Sequence, residues 1–199
     1  MIFLASQSPR RRQLLEQIGV KFSTLDVDVA EQRGAGEAPL DYVSRVAREK
    51  AAAGLLQVVA LPQALVIGAD TEVVLDNEVF GKPADSEGAA VMLRRLSGRV
   101  HQVISVVWCV SCAHEERAVS LSEVTFAALD AAEIAAYVAS GEPLGKAGGY
   151  AIQGRGAAFI RHLDGSYSGV MGLPLCETAT LLRRFRRPDT EDMVTDRTE

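Results

Sequence analysis

The sequence predicts an α/β protein in which a mixed, twisted sheet is flanked by helices. Strand-like and helix-like apolar patterns interleave along the chain, as expected of a sheet covered by helices. Two segments, 72–80 and 101–127, read as antiparallel hairpins, so a mixed sheet is expected rather than a purely parallel one. With 199 residues, 48% of them hydrophobic, the chain can bury a core of its own. One domain over residues 1–187 is the expectation, followed by a flexible tail over 188–199, where apolar periodicity is lost.

Residues 1–5 form a short apolar strand. Ser8 is placed to cap a helix with Pro9 in its first position, continuing to Ile18 and stopped by Gly19. Val20 to Val29 alternates around a register break, suits a half-buried strand, and delivers Glu31 into a Gly-rich loop. A helix follows from Pro39 to Leu56. Ala64 to Ala69 is an apolar strand that closes at Asp70, and Glu72 to Phe80 is a hairpin turning at Asp76-Asn77. Ser86 to Leu96 is helical and ends at Gly98. Long strands are expected over His101–Cys112 and Arg117–Ala127, with a polar turn at His114-Glu115-Glu116. Asp130 and Glu133 form a capping box for a helix through Ser140, stopped by Gly141. A glycine-rich stretch then carries a short strand at Tyr150-Ala151-Ile152-Gln153. Phe159–Leu163, a turn at Asp164-Gly165 and a strand near Val170 lead to a last amphipathic helix, Pro174–Phe185.

Several function classes are disfavoured. A net charge of -5 argues against a broad nucleic-acid surface, so an anionic ligand must meet a local basic cluster. No basic region precedes the first apolar run and no stretch has the unbroken apolar length of a membrane span, so a soluble, cytoplasmic protein is expected. Three cysteines without an export signal do not suggest a disulfide framework. Cys109 and Cys112 form a C-x-x-C, but in a strand they would face opposite sides and could not grip one zinc ion. His101, His114 and His162 are scattered and read as structural or surface residues. Neither a G-x-x-x-x-G-K-[ST] loop nor a strand-to-helix G-x-G-x-x-G is present.

Three places break the rules of stability. Arg10, Arg11 and Arg12 occupy the first turn of a helix, where like charge opposes the exposed amides. An anion would reverse that sign, since amides, a serine hydroxyl and guanidinium forks all donate to phosphate oxygens. The alternative is a basic solvated turn, with Arg12 the residue best read as solvent-facing. Lys50 falls with Leu40, Val43, Ala47 and Gly54 inside a helical arc of about 80°, so it either snorkels or meets an anion. Asp70 follows the apolar run Leu65–Ala69, at a strand's carboxyl end, where α/β proteins gather ligands; an Asx turn joining two strands is the other reading. Lys82 in a tight turn and Glu31 at a strand exit complete an inventory suited to a triphosphate with a divalent ion.

Taken in order, Ser6-x-Ser8-Pro9-Arg10-Arg11, Arg48-Glu49-Lys50-Ala51, Gly68-Ala69-Asp70-Thr71, Gly81-Lys82-Pro83, Leu96-Ser97-Gly98-x-x-His101, Tyr137-x-x-Ser140-Gly141-Glu142-Pro143, Lys146-Ala147-Gly148-x-Tyr150-x-Ile152-Gln153-Gly154, Gly165-Ser166-Tyr167 and Gly172-Leu173-Pro174 resemble the Maf family of nucleoside triphosphate pyrophosphatases. The resemblance covers nearly the whole chain short of the tail. It departs at Gly169-Val170-Met171, where an apolar valine pair is more usual, and at Ile104-Ser105, which bears on packing more than on chemistry.

The resemblance implies an elongated mixed α/β fold with a deep cleft, similar to inosine triphosphate pyrophosphatases, and a house-cleaning role in nucleotide metabolism. It implies a divalent metal cofactor, Mg2+ or Mn2+, held by Glu31 and Asp70, with Asp70 also the proton acceptor. Phosphate contacts carry over to Ser8, Arg11, Lys50 and Lys82. Substrate choice maps to Arg10, Thr71 and Gln153, whose types match the dTTP/UTP branch rather than the 7-methyl-GTP branch. The expected reaction is metal-assisted water attack at the α-phosphorus, yielding the monophosphate and pyrophosphate; modified pyrimidine nucleotides fall in the same class. A homodimer is a family-level expectation. Two other classes stay open: a nucleotide-binding regulator of septum formation without turnover, and a phosphohydrolase that removes the terminal phosphate.

Overall fold

In the computed structural model, which describes residues 1–186, the elements run β1 (Ile2–Ala5), α1 (Pro9–Gln17), β2 (Ser23–Leu25), α2 (Pro39–Gln57), β3 (Leu65–Leu75), β4 (Glu78–Phe80), α3 (Ser86–Leu96), β5 (Val100–Val110), β6 (Glu115–Phe126), α4 (Ala131–Ala139), β7 (Ile160–Asp164), α5 (Tyr167–Met171) and α6 (Leu175–Arg186). The expected tail over 188–199 lies outside the described residues. One seven-stranded sheet has the order β2-β1-β3-β5-β6-β7, with β4 also on β3. β1 pairs in parallel with β2 and β3, and every other pairing is antiparallel, so the expected mixed sheet is present. Among the described residues no helix is long and apolar enough to cross a membrane.

The helix signals act locally and hold. Ser8 caps α1 and accepts from the Arg11 N–H, with Pro9 at the first helical position. Both bonds of the Asp130–Glu133 capping box are formed. Asp76 and Asn77 adopt φ of 52° and 65°, the left-handed pair that a two-residue hairpin turn demands.

The sheet is where the structure corrects the sequence. β3 is a single eleven-residue strand, so Asp70 sits in mid-strand rather than at a strand end, and the hairpin arm begins at Leu65 rather than Glu72. It is the neighbours that stop: β1 pairs with β3 only as far as Leu4↔Ile67, and β4 takes up the same edge only at Val73↔Phe80. Residues 68–72 are left without a strand on that side, and a gap opens in the sheet. β2 covers only Ser23–Leu25 instead of Val20–Val29, because its partner β1 ends at Ala5 and residues beyond Leu25 have nothing to pair with.

Tyr150–Gln153 is not a strand but a loop between two 3-10 turns, Ala147–Gly149 and Arg155–Phe159; its apolar residues are buried by packing, not by pairing. Residues near Val170 form the short helix α5, capped by Ser166 and ended by Gly172 at φ 127°. Cys112 lies beyond β5 and is exposed, whereas Cys109 is buried in it.

Helices cover both faces of the sheet. Leu14 and Leu15 of α1 pack with Leu181 and Leu182 of α6 over Leu4, Ile67 and Val107. Leu93 and Leu96 of α3 and Ile134 and Tyr137 of α4 enclose Phe126 and Val103. Tyr42, Val43, Val46 and Ala47 of α2 pack over Val74, Ile104 and Val106. α2 seats closely because Gly68 has no side chain: a Cβ there would lie 2.3 Å from the Ala47 carbonyl oxygen and 2.5 Å from the Ala51 nitrogen. That close approach brings the same turn of α2, with Lys50, over Asp70.

Candidate active site

A cavity of about 660 Å³ occupies the gap in the sheet, a size suited to a small organic ligand. Its floor is the bare edge of β3. The loop from β1 into α1 forms one wall and the segment 145–153 the facing one, with residues 27–31, Lys50 and Lys82 closing the rim.

At the α1 wall, Arg10 and Arg11 line the cavity at the helix start, where the Arg11 N–H is already taken by Ser8 Oγ. Arg11 donates through Nε to the Gly172 carbonyl oxygen at 2.8 Å, which fixes the guanidinium against the loop after α5. Among the described residues neither Arg10 nor Arg11 pairs with a carboxylate. Burial, then the neighbouring charge of Arg11, holds the Arg10 pKa below its usual value. Lys146, on the facing wall, is likewise lowered by burial and then by Arg10. Three cations that repel one another across an open space are relieved by an anion between them. Arg12 is exposed, as expected.

Next to this wall the charges are interleaved. Lys50 Nζ lies 2.5 Å from Glu31 Oε1 and 2.8 Å from Asp70 Oδ1, and Lys82 Nζ lies 2.5 Å from Glu31 Oε2. Lys50 therefore meets anions rather than snorkelling to solvent. Burial is the largest single influence on Glu31 and pushes its carboxyl up, but the hydrogen bonds and charges of Lys50 and Lys82 together overcome it and pull the value down to about 2. Asp70 is only 4% exposed, and its second oxygen, Oδ2, has no hydrogen-bond partner.

The residues expected to choose the base also reach the cavity. Thr71 Oγ1 is 2.7 Å from Ser105 Oγ, and Ser105 donates its only hydroxyl proton to the Gly169 carbonyl oxygen at 2.6 Å. Thr71 is therefore the donor of that pair, which leaves its lone pairs for a ligand. Gln153 is exposed and lines the facing wall. Ser8, Arg10, Arg11, Glu31, Lys50, Asp70, Thr71, Lys82 and Gln153 thus all border one cavity, drawn from six separate stretches of chain.

Lys146 and Glu72 also line the cavity, although the sequence gives neither a role there. Glu72 read as a hairpin residue, yet it is 5% exposed and its Oε2 lacks any partner. Burial first, then the charges of Asp70 and Glu31, raise its carboxyl to about 8 against the opposing pull of Lys82 and Lys50. The available signal was the D-x-E spacing on an apolar strand, since residues two apart share a face. His101, by contrast, is structural: it is buried, its Nε2 lies 2.9 Å from Tyr150 Oη, and it packs edge-on to Phe126.

A divalent cation fits this donor set. Among the described residues no three carboxylate, imidazole or thiol groups already stand around one metal position. Mg2+, however, needs only one or two carboxylates when substrate phosphates supply the rest, and Asp70 has a buried oxygen to spare.

A mixed α/β sheet split by a cation-lined cleft, with an uncommitted buried carboxylate oxygen at its floor, is the frame of an enzyme acting on phosphate anhydrides. The chain belongs to the Maf family: the family model described as Maf-like protein matches residues 1–185. It is 60% identical over 188 residues to a dTTP/UTP pyrophosphatase of Xanthomonas euvesicatoria pv. vesicatoria, covering 93% of this chain and 98% of that one. A dTTP/UTP pyrophosphatase of Xanthomonas campestris pv. campestris is 58% identical over 187 residues, and a nucleoside triphosphate pyrophosphatase of Xylella fastidiosa strain 9a5c is 54% identical over 186, each with 93% and 98% coverage. Among solved structures, the Staphylococcus aureus Ham1 protein aligns with a TM-score of 0.42 and 17% identity over 63% of this chain and 71% of that one.

Proposed function

We propose that this protein is a nucleoside triphosphate pyrophosphatase that hydrolyses dTTP and UTP, with modified pyrimidine nucleotides in the same class, to the monophosphate and pyrophosphate. One observation carries the chemistry. Lys50 holds one oxygen of Asp70 and leaves the other buried and unpartnered, in a residue that borders the same cavity as Arg10 and Arg11.

The triphosphate lies along the α1 wall. The Arg10 N–H, the Ser8 hydroxyl, Arg11 and Lys82 bind its oxygens, as helix amino termini and guanidinium groups bind phosphate generally. The phosphates compete with Glu31 for Lys50 and Lys82, so binding loosens the internal ion pairs and exposes carboxylate oxygens. Asp70 Oδ2 accepts a proton from a water in line with the α-phosphorus. The new P–O bond forms as the bond to the bridging oxygen of the β-phosphate breaks, and pyrophosphate leaves into the basic wall. Lys50 keeps Asp70 in place while that proton moves. Positioning and charge neutralisation outweigh basicity here, as in phosphoryl transfer generally.

Glu31 and Asp70 would hold a divalent cation, Mg2+ or Mn2+, which when bound polarises phosphate oxygens and makes water easier to deprotonate. The base end of the nucleotide meets Arg10, Thr71 and Gln153. The Gln153 amide offers both a donor and an acceptor, matching the carbonyl and N3–H of uracil or thymine. A regulator that binds without turnover has no need of the spare Asp70 oxygen.

Incubating the purified protein and Mg2+ with a panel of nucleotides and identifying both products tests this. Monophosphate plus pyrophosphate, fastest from dTTP and UTP, is expected. Diphosphate plus orthophosphate would point instead to removal of the terminal phosphate, and binding without products to a regulator.

A further inference from the structure

Glu72 has no part in the mechanism above, and stability does not explain it. It lies two residues past Asp70 on β3, so the two carboxylates project from the same face, while Thr71 between them turns to Ser105 on the other. Both carboxylates line the cavity, and each keeps one buried oxygen without a hydrogen-bond partner. The lysines on this side are engaged elsewhere: Lys50 on Glu31 and Asp70, Lys82 on Glu31. Among the described residues no basic side chain forms an ion pair with Glu72. Burying an unpaired carboxyl group is unfavourable, and the flanking Val73 and Val74 show what the strand would otherwise accept.

Two unpartnered carboxylate oxygens on one face of a strand, inside a cleft, suit a hard cation that takes oxygen ligands. We propose that Glu72 is a further carboxylate ligand of the divalent cation, which it shares with Asp70. Glu31 completes the set once nucleotide phosphates draw Lys50 and Lys82 away from it, which is why no three-carboxylate cage stands ready beforehand. This rests on reading the site as metal-assisted.

The test is Mn2+ binding to the whole protein, followed by the EPR signal of free Mn2+, alone and with a non-hydrolysable dTTP analogue. Glu72→Gln is expected to weaken Mn2+ binding by about ten-fold or more. Glu72→Asp, which keeps a carboxylate on a shorter arm, should recover part of the loss. Melting in EDTA shows whether the fold survives each change; if Glu72→Gln does not fold, a Glu72→Asp that leaves Mn2+ affinity unchanged overturns the proposal. A folded Glu72→Gln that binds Mn2+ as tightly as the parent removes Glu72 from the cation site, whatever happens to turnover. Full dTTP hydrolysis by the parent after exhaustive chelation would instead bring down the metal-assisted reading, and this inference with it.

Discussion

Lys50 Nζ stands 2.8 Å from Asp70 Oδ1, a contact between helix α2 and strand β3 with both side chains at most 10% exposed. It depends on the bare Cα of Gly68, one residue pair down the strand, which lets the helix backbone approach. The pair orients Asp70 so that Oδ2 is left for chemistry.

Asp70→Asn keeps the shape and the Lys50 contact but removes the proton acceptor. Turnover should fall by roughly 10²–10⁴-fold, the usual worth of general base catalysis, while nucleotide binding persists. Steady-state release of pyrophosphate beside equilibrium binding of a non-hydrolysable analogue measures both. Near-parental pyrophosphate release would exclude Asp70 as the base.

Gly68→Ala should destabilise the protein by roughly 1–3 kcal/mol, as overpacking does, because a Cβ would stand 2.3 Å from a backbone oxygen that cannot turn aside. Thermal melting reports the loss. Since Lys50 rides on the displaced helix, kcat should fall as well, and an unchanged melt with parental kinetics would contradict the packing described.

Gln153→Ala should flatten the preference for dTTP and UTP over other triphosphates without abolishing hydrolysis. Relative kcat/KM across the nucleotide panel is the measurement. If the ratios stay the same, Gln153 does not read the base.

His101 makes stability depend on pH. Burial holds its pKa down at about 4 against an ordinary 6.5, so the folded state binds fewer protons than the unfolded chain between those values. The contribution is complete above pH 6.5 and is lost as pH falls through 4, roughly 3 kcal/mol in all. Glu31, held down at about 2 from 4.5, adds a second loss at lower pH, with the same sign. Glu72, with its carboxyl held up at about 8, titrates over the same window with the opposite sign, so the His101 effect is read as a difference: denaturant unfolding from pH 7.5 to 4 should show the parent losing stability relative to His101→Phe.

The cation and nucleotide should also stabilise the fold by mass action. A thermal shift that grows with dTTP analogue and Mg2+ together, and exceeds the sum of the two alone, is expected if phosphates and carboxylates share the cation. Additive shifts would mean separate sites.

The sequence by itself determined the features that act over a few residues. Ser8 and Pro9 start α1, Asp130 and Glu133 box the start of α4, and Asp76 and Asn77 turn the hairpin, whereas for Lys50 on its apolar helical arc the sequence left snorkelling and an anion as alternatives. The motif residues likewise named the chemistry, because residue type and order survive without coordinates. The tertiary structure decided where strands lose their partners. Asp70 reads as a strand end in the sequence but lies in mid-strand, reachable only because β1 stops pairing with β3 at Ile67 and β4 starts pairing with it at Val73. The same gap turned Glu72 from a hairpin residue into a cavity carboxylate, and packing rather than pairing placed Ile152 and Val170. Helix caps are satisfied by atoms three residues away, whereas a strand edge is covered or bare according to segments tens of residues distant, so only the folded chain could settle which backbone faces the substrate.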